Sequence, residues 1–189
     1  MRLILASASP RRSELLRQMG LRFEVMSANV DETRFAGESP RAYVSRLAEA
    51  KARASSVPGA LVIGADTAVV CDDEILGKPC CQKEAVDALL LLSGRTHEVI
   101  TGVCVTDGQT LRRRVVTTEV RFREVDRQTL VRYWNTGEGS DKAGSYGIQG
   151  IGGIFADRIA GSYSAVVGLP LSETEELLRA FQFDTWRDR

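Results

Sequence analysis

Residues 2–20, RLILASASPRRSELLRQMG, join an apolar run to two serines, a proline and two adjacent arginines. The apolar residues predict a short buried strand over residues 2–7. Ser9 followed by Pro10 is typical of a helix N-cap and first turn, and Gly20 suits the end of that helix. The stretch therefore predicts a strand, a loop and a helix in succession, and we call residues 6–12, from the end of the strand to the first turn of the helix, the opening loop.

Strands and helices continue to alternate along the chain. Further strands are predicted over residues 22–30, 60–71, 97–107, 110–123 and 154–159, and helices over residues 10–19, 40–54, 82–93, 126–135 and 172–181. Asp72 with Asp73, and Asp107 with Gly108, predict two turns that reverse the chain. The pattern predicts a mixed α/β fold with a long twisted sheet and a single domain over residues 1–189.

The composition excludes several classes of protein. The chain has 25 Lys and Arg against 25 Asp and Glu, which predicts no general attraction to nucleic acid or to membranes. No apolar run reaches the roughly 18 residues of a membrane helix, and residues 1–10 lack a signal segment, so we expect a cytoplasmic location. The four cysteines lack the spacing of a zinc site, and the single histidine, His97, favours a structural or surface role.

Charged residues interrupt apolar patterns at three positions. Asp66 stands within the apolar strand predicted over residues 60–71, where a carboxylate needs a hydrogen bond, an ion pair or a metal ion. Strand alternation puts Asp66 on the same face as Gly64 and Thr67 on the opposite face. A bend of the strand near Gly64 would let the side chains of Asp66 and Thr67 both reach a cleft. Lys51 falls on the apolar stripe of the second helix, and Lys78 lies between Gly77 and Pro79.

Anion binding is one of two interpretations of the opening loop. A helix start offers free backbone N–H groups, Ser7 and Ser9 add hydroxyls, and Arg11 and Arg12 suit phosphate oxygens. The other interpretation is a capped helix with two solvated arginines. Together with Lys51, Lys78 and the carboxylates of Asp31, Glu32 and Asp66, the loop has the groups that a metal-bound polyphosphate requires.

The common nucleotide motifs are absent. Residues 75–80, ILGKPC, lack the first glycine and the final Ser or Thr of a P-loop, and residues 147–153, GIQGIGG, do not open a helix. We call residues 137–153, GEGSDKAGSYGIQGIGG, the glycine-rich loop. It suits either a binding loop that a ligand approaches closely or a mobile turn.

Eight sequence blocks in order resemble the Maf family of nucleotide pyrophosphatases. The blocks span nearly the whole chain and read LASASPRRSELL, VDET, ESPRAYVSRLAEAKA, GADTAVV, LGKP, LSGRTHEVITGV, DKAGSYGIQG and VVGLPLSET. The resemblance implies an elongated fold like that of inosine triphosphate pyrophosphatases, with a cleft between two lobes. It also implies hydrolysis of nucleoside triphosphates to monophosphate and pyrophosphate with a divalent metal, Mg or Mn.

The resemblance also assigns roles to individual residues. Asp66 matches the catalytic proton acceptor of the family, and Glu32 with Asp66 would hold the metal, although Asp31 could share it. The remaining matched residues would bind the substrate: Ser7, Ser9, Arg11, Arg12, Lys51, Thr67, Lys78 and Gln149. Of these, Arg11, Thr67 and Gln149 look like the trio that accompanies dTTP and UTP hydrolysis.

Modified pyrimidine nucleotides could be further substrates of the same activity, and two alternatives to it stay open at the level of sequence. The same chemistry could act on 7-methyl-GTP or another non-canonical nucleotide. The family name is also associated with arrest of septum formation in cell division, which a non-catalytic nucleotide-binding regulator could exert. The sequence is compatible with a homodimer and does not distinguish it from a monomer.

Overall fold

The computed structural model describes residues 1–27 and 29–186 and contains a seven-stranded mixed sheet with six α-helices in those ranges. The strands are β1 (Arg2–Leu5), β2 (Glu24–Val25), β3 (Ala60–Cys71), β4 (Glu74–Leu76), β5 (Thr96–Thr106), β6 (Leu111–Phe122) and β7 (Ala156–Ala160). The helices are α1 (Pro10–Gln18), α2 (Pro40–Ala54), α3 (Gln82–Leu92), α4 (Arg127–Trp134), α5 (Tyr163–Val167) and α6 (Leu171–Ala180). The strand order is β2-β1-β3-β5-β6-β7, and β4 pairs with β3. The predicted mixed α/β class is confirmed.

Two predicted strands differ from the structure. The strand expected over residues 22–30 is reduced to Glu24–Val25, because its partner β1 ends at Leu5, opposite Val25. Residue 28 of that prediction lies outside the described residues. The strand expected from residue 154 begins at Ala156, after a 3-10 helix over Ile151–Phe155 whose first N–H groups bind a side chain rather than a neighbouring strand. Helix α5 was not predicted.

The described chain divides into two compact units. Unit 1 comprises the described residues of Met1–Asp66, Thr101–Val116 and Gly168–Arg189, and unit 2 comprises Thr67–Ile100 and Thr117–Val167. A core cluster of unit 1 contains Ile4, Ala6, Ala48, Ala52, Ala60, Val62 and Cys104. The core cluster of unit 2 is rich in aromatic residues, among them Phe122, Tyr133, Tyr146 and Phe155. The single domain over residues 1–189 stays a prediction.

In unit 1, helix α2 lies directly on the backbone of the sheet. A Cβ atom at Gly64 of β3 would stand 2.2 Å from the carbonyl oxygen of Ala48, and one at Gly102 of β5 would stand 2.5 Å from that of Val44. Both distances are far shorter than a carbon atom tolerates, so only glycine allows this approach. The helix begins at Ser39, whose hydroxyl accepts a hydrogen bond from the Ala42 N–H at 3.2 Å, as the Ser-Pro pair predicts.

Strand β3 runs without a break from Ala60 to Cys71, and the bend expected near Gly64 stays a prediction. Glycine at this position serves the contact with α2, and the strand keeps its ladder with β1 through Leu61 and Ile63. The strand then turns at Asp72 and Asp73, both with positive φ angles, into the antiparallel β4. This is the tight reversal that the Asp-Asp pair predicts.

In unit 2, His97 lies in the aromatic core and is only 2% exposed. Its Nε2 is 2.8 Å from the hydroxyl of Tyr146, and its ring makes edge contacts with Phe122 and Tyr146. The structural role expected of His97 is confirmed, and the surface alternative is wrong. Burial lowers the pKa of His97 from 6.5 to about 4, because the charged imidazolium would lose its hydration.

We expect the stability of the protein to fall as the pH drops from about 6.5 to about 4. In this window the unfolded His97 binds a proton and the folded His97 does not, so protonation favours unfolding. The lost free energy of unfolding is about 3 kcal/mol for a shift of this size. Denaturant unfolding of wild type and of His97→Phe, at pH 7 and pH 4.5, measures the difference. Equal pH dependence in the two proteins would contradict the expectation.

Candidate active site

The opening loop leaves β1 beside the middle of β3. The Ala6 N–H donates to the Ile63 carbonyl at 2.8 Å, which extends the parallel pairing by one residue before the chain turns away. Ser7 is nearly buried, and its Oγ accepts hydrogen bonds from the Ser9 N–H at 3.2 Å and from Arg12 Nη1 at 3.1 Å. Ser9 occupies the N-cap position of α1 without a side-chain cap bond. The Ser9 hydroxyl is therefore not committed to the helix.

Arg12 is fixed at both edges of its guanidinium group. Besides its bond to Ser7, its Nε donates to the Gly168 carbonyl at 2.8 Å. Burial lowers the pKa of Arg12, while the nearby charges of Asp66 and Glu32 raise it and that of Arg11 lowers it. The second interpretation of the loop, with two solvated arginines, is wrong for Arg12, which is half-buried and bonded on both sides.

Three charged side chains from separate segments of unit 1 meet in one cluster. Lys51 Nζ on α2 lies 2.7 Å from Asp66 Oδ1 on β3 and 2.7 Å from Glu32 Oε1 in the segment before α2. The Lys51 and Asp66 side chains are 12% and 11% exposed, whereas Glu32 is 51% exposed. We call Glu32, Lys51 and Asp66 the carboxylate–lysine cluster. The ion pairing explains how charged residues are tolerated on the apolar faces of α2 and β3.

Burial dominates the ionisation of Asp66. It raises the pKa of Asp66 above the ordinary value of 3.8, and it outweighs the lowering by Lys51 and Arg12. The charge of Glu32 raises the Asp66 pKa further. A carboxylate with a raised pKa binds a proton more tightly than an ordinary aspartate does, which suits a proton acceptor.

The segment that carries Glu32 is held by two residues of α2 that the sequence analysis missed. The Tyr43 hydroxyl donates to the Glu32 carbonyl at 3.0 Å, and Arg46 Nη2 donates to the Thr33 carbonyl at 3.0 Å. The Arg46 guanidinium also forms a two-point ion pair with Glu38 and lies 4.0 Å from the centre of the Phe35 ring. The sequence signal for this pair was the three-residue spacing of Tyr43 and Arg46, since residues i and i+3 lie on the same side of a helix and can contact the same segment.

Two carboxylates of the cluster could hold a metal ion. Within the described residues, no group of three or more His, Cys, Asp or Glu side chains is arranged to bind one. Mg²⁺ commonly uses one or two protein carboxylates and completes its coordination with water and substrate phosphates. Asp31 Oδ1 accepts a hydrogen bond from the Thr33 N–H at 2.9 Å, so Asp31 closes a local turn and Glu32 faces Lys51.

Three further residues implied by the resemblance belong to unit 2. Thr67 follows Asp66 on β3 and is half-buried, while Lys78 and Gln149 are exposed. The Gly144 N–H donates to the Gly77 carbonyl at 3.2 Å, so the segment of Lys78 packs on the glycine-rich loop that contains Gln149. The glycine-rich loop is ordered by internal hydrogen bonds and two 3-10 helices, which favours the binding-loop interpretation.

The remaining sequence signals carry no site in the structure. All four cysteines are free thiols, with Cys71 and Cys104 buried and Cys80 and Cys81 exposed. In the part of the chain that the structure describes, none of the helices is long and apolar enough to cross a membrane.

Comparison with known proteins finds a family and relatives that match nearly the whole chain. The model of the Maf family, described as Maf-like protein, matches residues 2–181. A dTTP/UTP pyrophosphatase of Vibrio cholerae is 54% identical over 183 residues, which cover 95% of this chain and 98% of that protein. The dTTP/UTP pyrophosphatase of Saccharophagus degradans is 48% identical over 98% of this chain and 91% of its own length. That of Pseudoalteromonas atlantica is 52% identical over 93% of this chain and 95% of its own length.

The family match extends from β1 to the end of α6 and includes the opening loop, the carboxylate–lysine cluster and the glycine-rich loop. Since the match covers residues 2–181 and the relatives are about half identical over nearly the whole chain, the chain belongs to the Maf family.

Proposed function

We propose that this protein is a nucleoside triphosphate pyrophosphatase that hydrolyses dTTP and UTP to the monophosphate and pyrophosphate. Relatives that are about 50% identical to this protein over nearly the whole chain are named dTTP/UTP pyrophosphatase. Pyrimidine triphosphates modified at C5 are included, because a substituent at C5 leaves the O4 and N3–H groups of the base intact. The finer fold, with two lobes like those of inosine triphosphate pyrophosphatases, belongs to this proposal on the resemblance alone. The cytoplasmic location expected from the sequence belongs to it as well.

The observation that carries the proposal is the carboxylate–lysine cluster. A nearly buried carboxylate, Asp66, is paired with an ammonium group that also holds a second, exposed carboxylate, Glu32. The cluster supplies a proton acceptor, a cation and two hard oxygen ligands within one hydrogen-bonded group. Those are the groups that hydrolysis of a phosphoric anhydride requires.

The phosphate chain would be held by the opening loop and by lysines. Arg12 is oriented by Ser7 and by the Gly168 carbonyl, so it is in place before substrate binds. Ser9, with a hydroxyl not used for capping, and the exposed Lys78 add a donor and a positive charge. Lys51 can shift from its carboxylate partners toward a phosphate oxygen, since an ammonium group has three donors.

Glu32 and Asp66 fit a divalent metal, Mg²⁺ or Mn²⁺, because both offer oxygen ligands to the same cation, Lys51. When bound, the metal would neutralise the charge that develops on the departing pyrophosphate. In the chemical step, Asp66 takes a proton from a water molecule whose oxygen attacks the α-phosphorus. The bond from the α-phosphorus to the bridging oxygen breaks, and pyrophosphate leaves with the electron pair.

Gln149 would read the base, together with Thr67 and Arg11. Its amide has one donor group and one acceptor, which complement the O4 and N3–H of uracil and thymine. The side chain is exposed in a loop whose backbone is ordered, so it is available to a ligand. Arg11, on the first turn of α1, would influence which nucleotide is preferred rather than only how tightly phosphate is held.

We expect dTTP with Mg²⁺ or Mn²⁺ to yield dTMP and pyrophosphate, with label from H₂¹⁸O in the dTMP, and EDTA to stop the reaction. Asp66→Asn should slow it at least about 100-fold, because the amide cannot accept the proton. Asp73→Asn, in the exposed β3–β4 turn, is the matched control. The products are measured by ³¹P NMR and mass spectrometry. Orthophosphate as product, binding without turnover, or a near-normal rate of Asp66→Asn would overturn the proposal.

We expect two substitutions in the cluster to move the titration of Asp66 in opposite directions. Lys51→Met should raise the Asp66 pKa further, since it removes a positive charge 2.7 Å away. Glu32→Gln should lower it, since it removes a negative charge. Carboxyl ¹³C NMR of the metal-free protein between pH 3 and 8 measures both shifts. If both substitutions moved the Asp66 pKa in the same direction, the charges of Lys51 and Glu32 would not control that pKa.

We expect Gln149→Ala to lower kcat/KM for dTTP and UTP about tenfold or more, because the base loses a donor and an acceptor at once. Inhibition by inorganic triphosphate, which has no base, should be unchanged. Gln128→Ala, exposed on α4, is the matched control. Equal losses for dTTP and inorganic triphosphate would assign Gln149 to phosphate binding. Steady-state rates with dTTP, UTP, dCTP and dGTP give the comparison, and Arg11→Lys is tested on the same panel for a change in preference.

A further inference from the structure

Glu138, a half-buried residue at the start of the glycine-rich loop, binds the backbone further along that loop. Its Oε2 accepts a hydrogen bond from the Ile151 N–H at 2.7 Å, and its Oε1 accepts one from the Gly152 N–H at 2.9 Å. Both carboxylate oxygens are therefore used on two successive backbone donors. Hydrogen bonds of this kind to a charged acceptor are stronger than those between neutral groups.

Tyr133 on α4 connects this carboxylate to the other side of the same segment. Its hydroxyl donates to Glu138 Oε1 at 2.9 Å and accepts from the Gly147 N–H at 3.1 Å. The Tyr133 ring is nearly buried and packs edge-on against Phe155, so the hydroxyl cannot move freely. Tyr133 and Glu138 therefore hold residues 147 to 152 at both ends.

Gln149 lies in the middle of this held segment. The Gly150 N–H donates to the Gly147 carbonyl at 3.2 Å, which makes Gln149 the third residue of a four-residue turn. A Cβ atom at Gly150 would lie 2.2 Å from Glu138 Oε2, so the carboxylate is packed against the turn itself. The exposed Gln149 side chain thus projects from a backbone with little freedom to shift.

We propose that Glu138 is a positioning residue for nucleotide selection, which fixes the turn that presents Gln149 to the base. This inference rests on the proposed function, in which Gln149 reads the pyrimidine. An amide exchanges its donor and acceptor by a half-turn about its last bond, so it can pair with uracil or with cytosine. A base is selected only when the donor and acceptor of the amide are held at hydrogen-bond distance from the matching atoms. The backbone turn sets the position from which Gln149 reaches the base, and Glu138 holds that turn.

A carboxylate is required at this position because both of its oxygens face donors. A glutamine there would have only one acceptor, and its NH₂ group would face a backbone N–H. The hydrogen bonds from Gly152, Ile151 and Tyr133, with the charge of Lys142, outweigh the effect of burial and leave the pKa of Glu138 below its ordinary value. The Lys142 ammonium donates to the Glu138 carbonyl, which fixes the start of the loop as well.

The test compares Glu138→Gln, Tyr133→Phe and Gln149→Ala, singly and as the double variant of Glu138→Gln with Gln149→Ala. Glu98→Gln, exposed on β5, is the matched control for the loss of one carboxylate. We expect Glu138→Gln to lower kcat/KM for dTTP about tenfold, mainly through KM, and to reduce the preference for dTTP over dCTP. Inhibition by inorganic triphosphate should stay within about twofold, because that probe has no base to be read.

The double variant decides whether Glu138 acts through Gln149. With Gln149 already removed, Glu138→Gln should add little further loss of preference, since the two residues form one unit. An equal loss in both backgrounds, or a matching loss of inorganic triphosphate inhibition, would overturn the proposal. Tyr133→Phe gives a second, milder disruption of the same contacts if Glu138→Gln fails to fold.

Hydrogen exchange of the Ile151 and Gly152 amides provides a readout that does not need activity. We expect faster exchange at these amides in Glu138→Gln and unchanged exchange in Glu98→Gln. A wild-type protein without activity on dTTP or UTP would overturn the proposed function. Normal selectivity in Glu138→Gln, with active wild type, would overturn the role of Glu138 alone.

Discussion

The close contact of α2 with β3 at Gly64 is the constraint on which the candidate active site depends. The Ala48 carbonyl occupies the space that a side chain at position 64 would fill, so the helix backbone rests on the strand. Asp66 lies two residues further on the same face of β3, and Lys51 lies three residues further along α2. At this separation of helix and strand the ammonium reaches the carboxylate at 2.7 Å. A larger residue at position 64 would push the helix away and break the ion pair.

The carboxylate–lysine cluster combines burial with incomplete charge compensation. Removal of a carboxylate from water is costly, and Lys51 offsets part of that cost by direct pairing. Burial raises the pKa of Asp66 above its ordinary value, Lys51 and Arg12 offset only part of that effect, and the charge of Glu32 adds to it. Lys51 is shared by Glu32 and Asp66, which leaves two carboxylates around one cation. This arrangement of charges supports the proposed roles of Asp66 as proton acceptor and of Glu32 and Asp66 as metal ligands.

Two exposed residues of the candidate site, Glu32 and Gln149, have their backbone held in a similar way. The backbone at Glu32 is held by Tyr43 and Arg46, and the backbone at Gln149 is held by Tyr133 and Glu138. In each case a tyrosine hydroxyl forms a hydrogen bond with the main chain. A charged side chain, Arg46 or Glu138, forms a further hydrogen bond with the same segment. Because more buried partners hold the backbone, the exposed side chain keeps its position while it faces solvent.

The sequence by itself determined most of the secondary structure and pointed to the charged residues of the candidate site. Local signals, such as Ser-Pro at helix starts and Asp-Gly or Asp-Asp at turns, act over a few residues and fixed α1, α2 and both hairpins. A charged residue on an apolar face marked Lys51 and Asp66. The tertiary structure alone decided which partners meet, that Glu32 rather than Asp31 faces Lys51, and that Glu138 reaches Ile151 and Gly152. Those contacts join residues far apart in sequence, and no local pattern encodes the packing of α2 on β3 or the path of the glycine-rich loop.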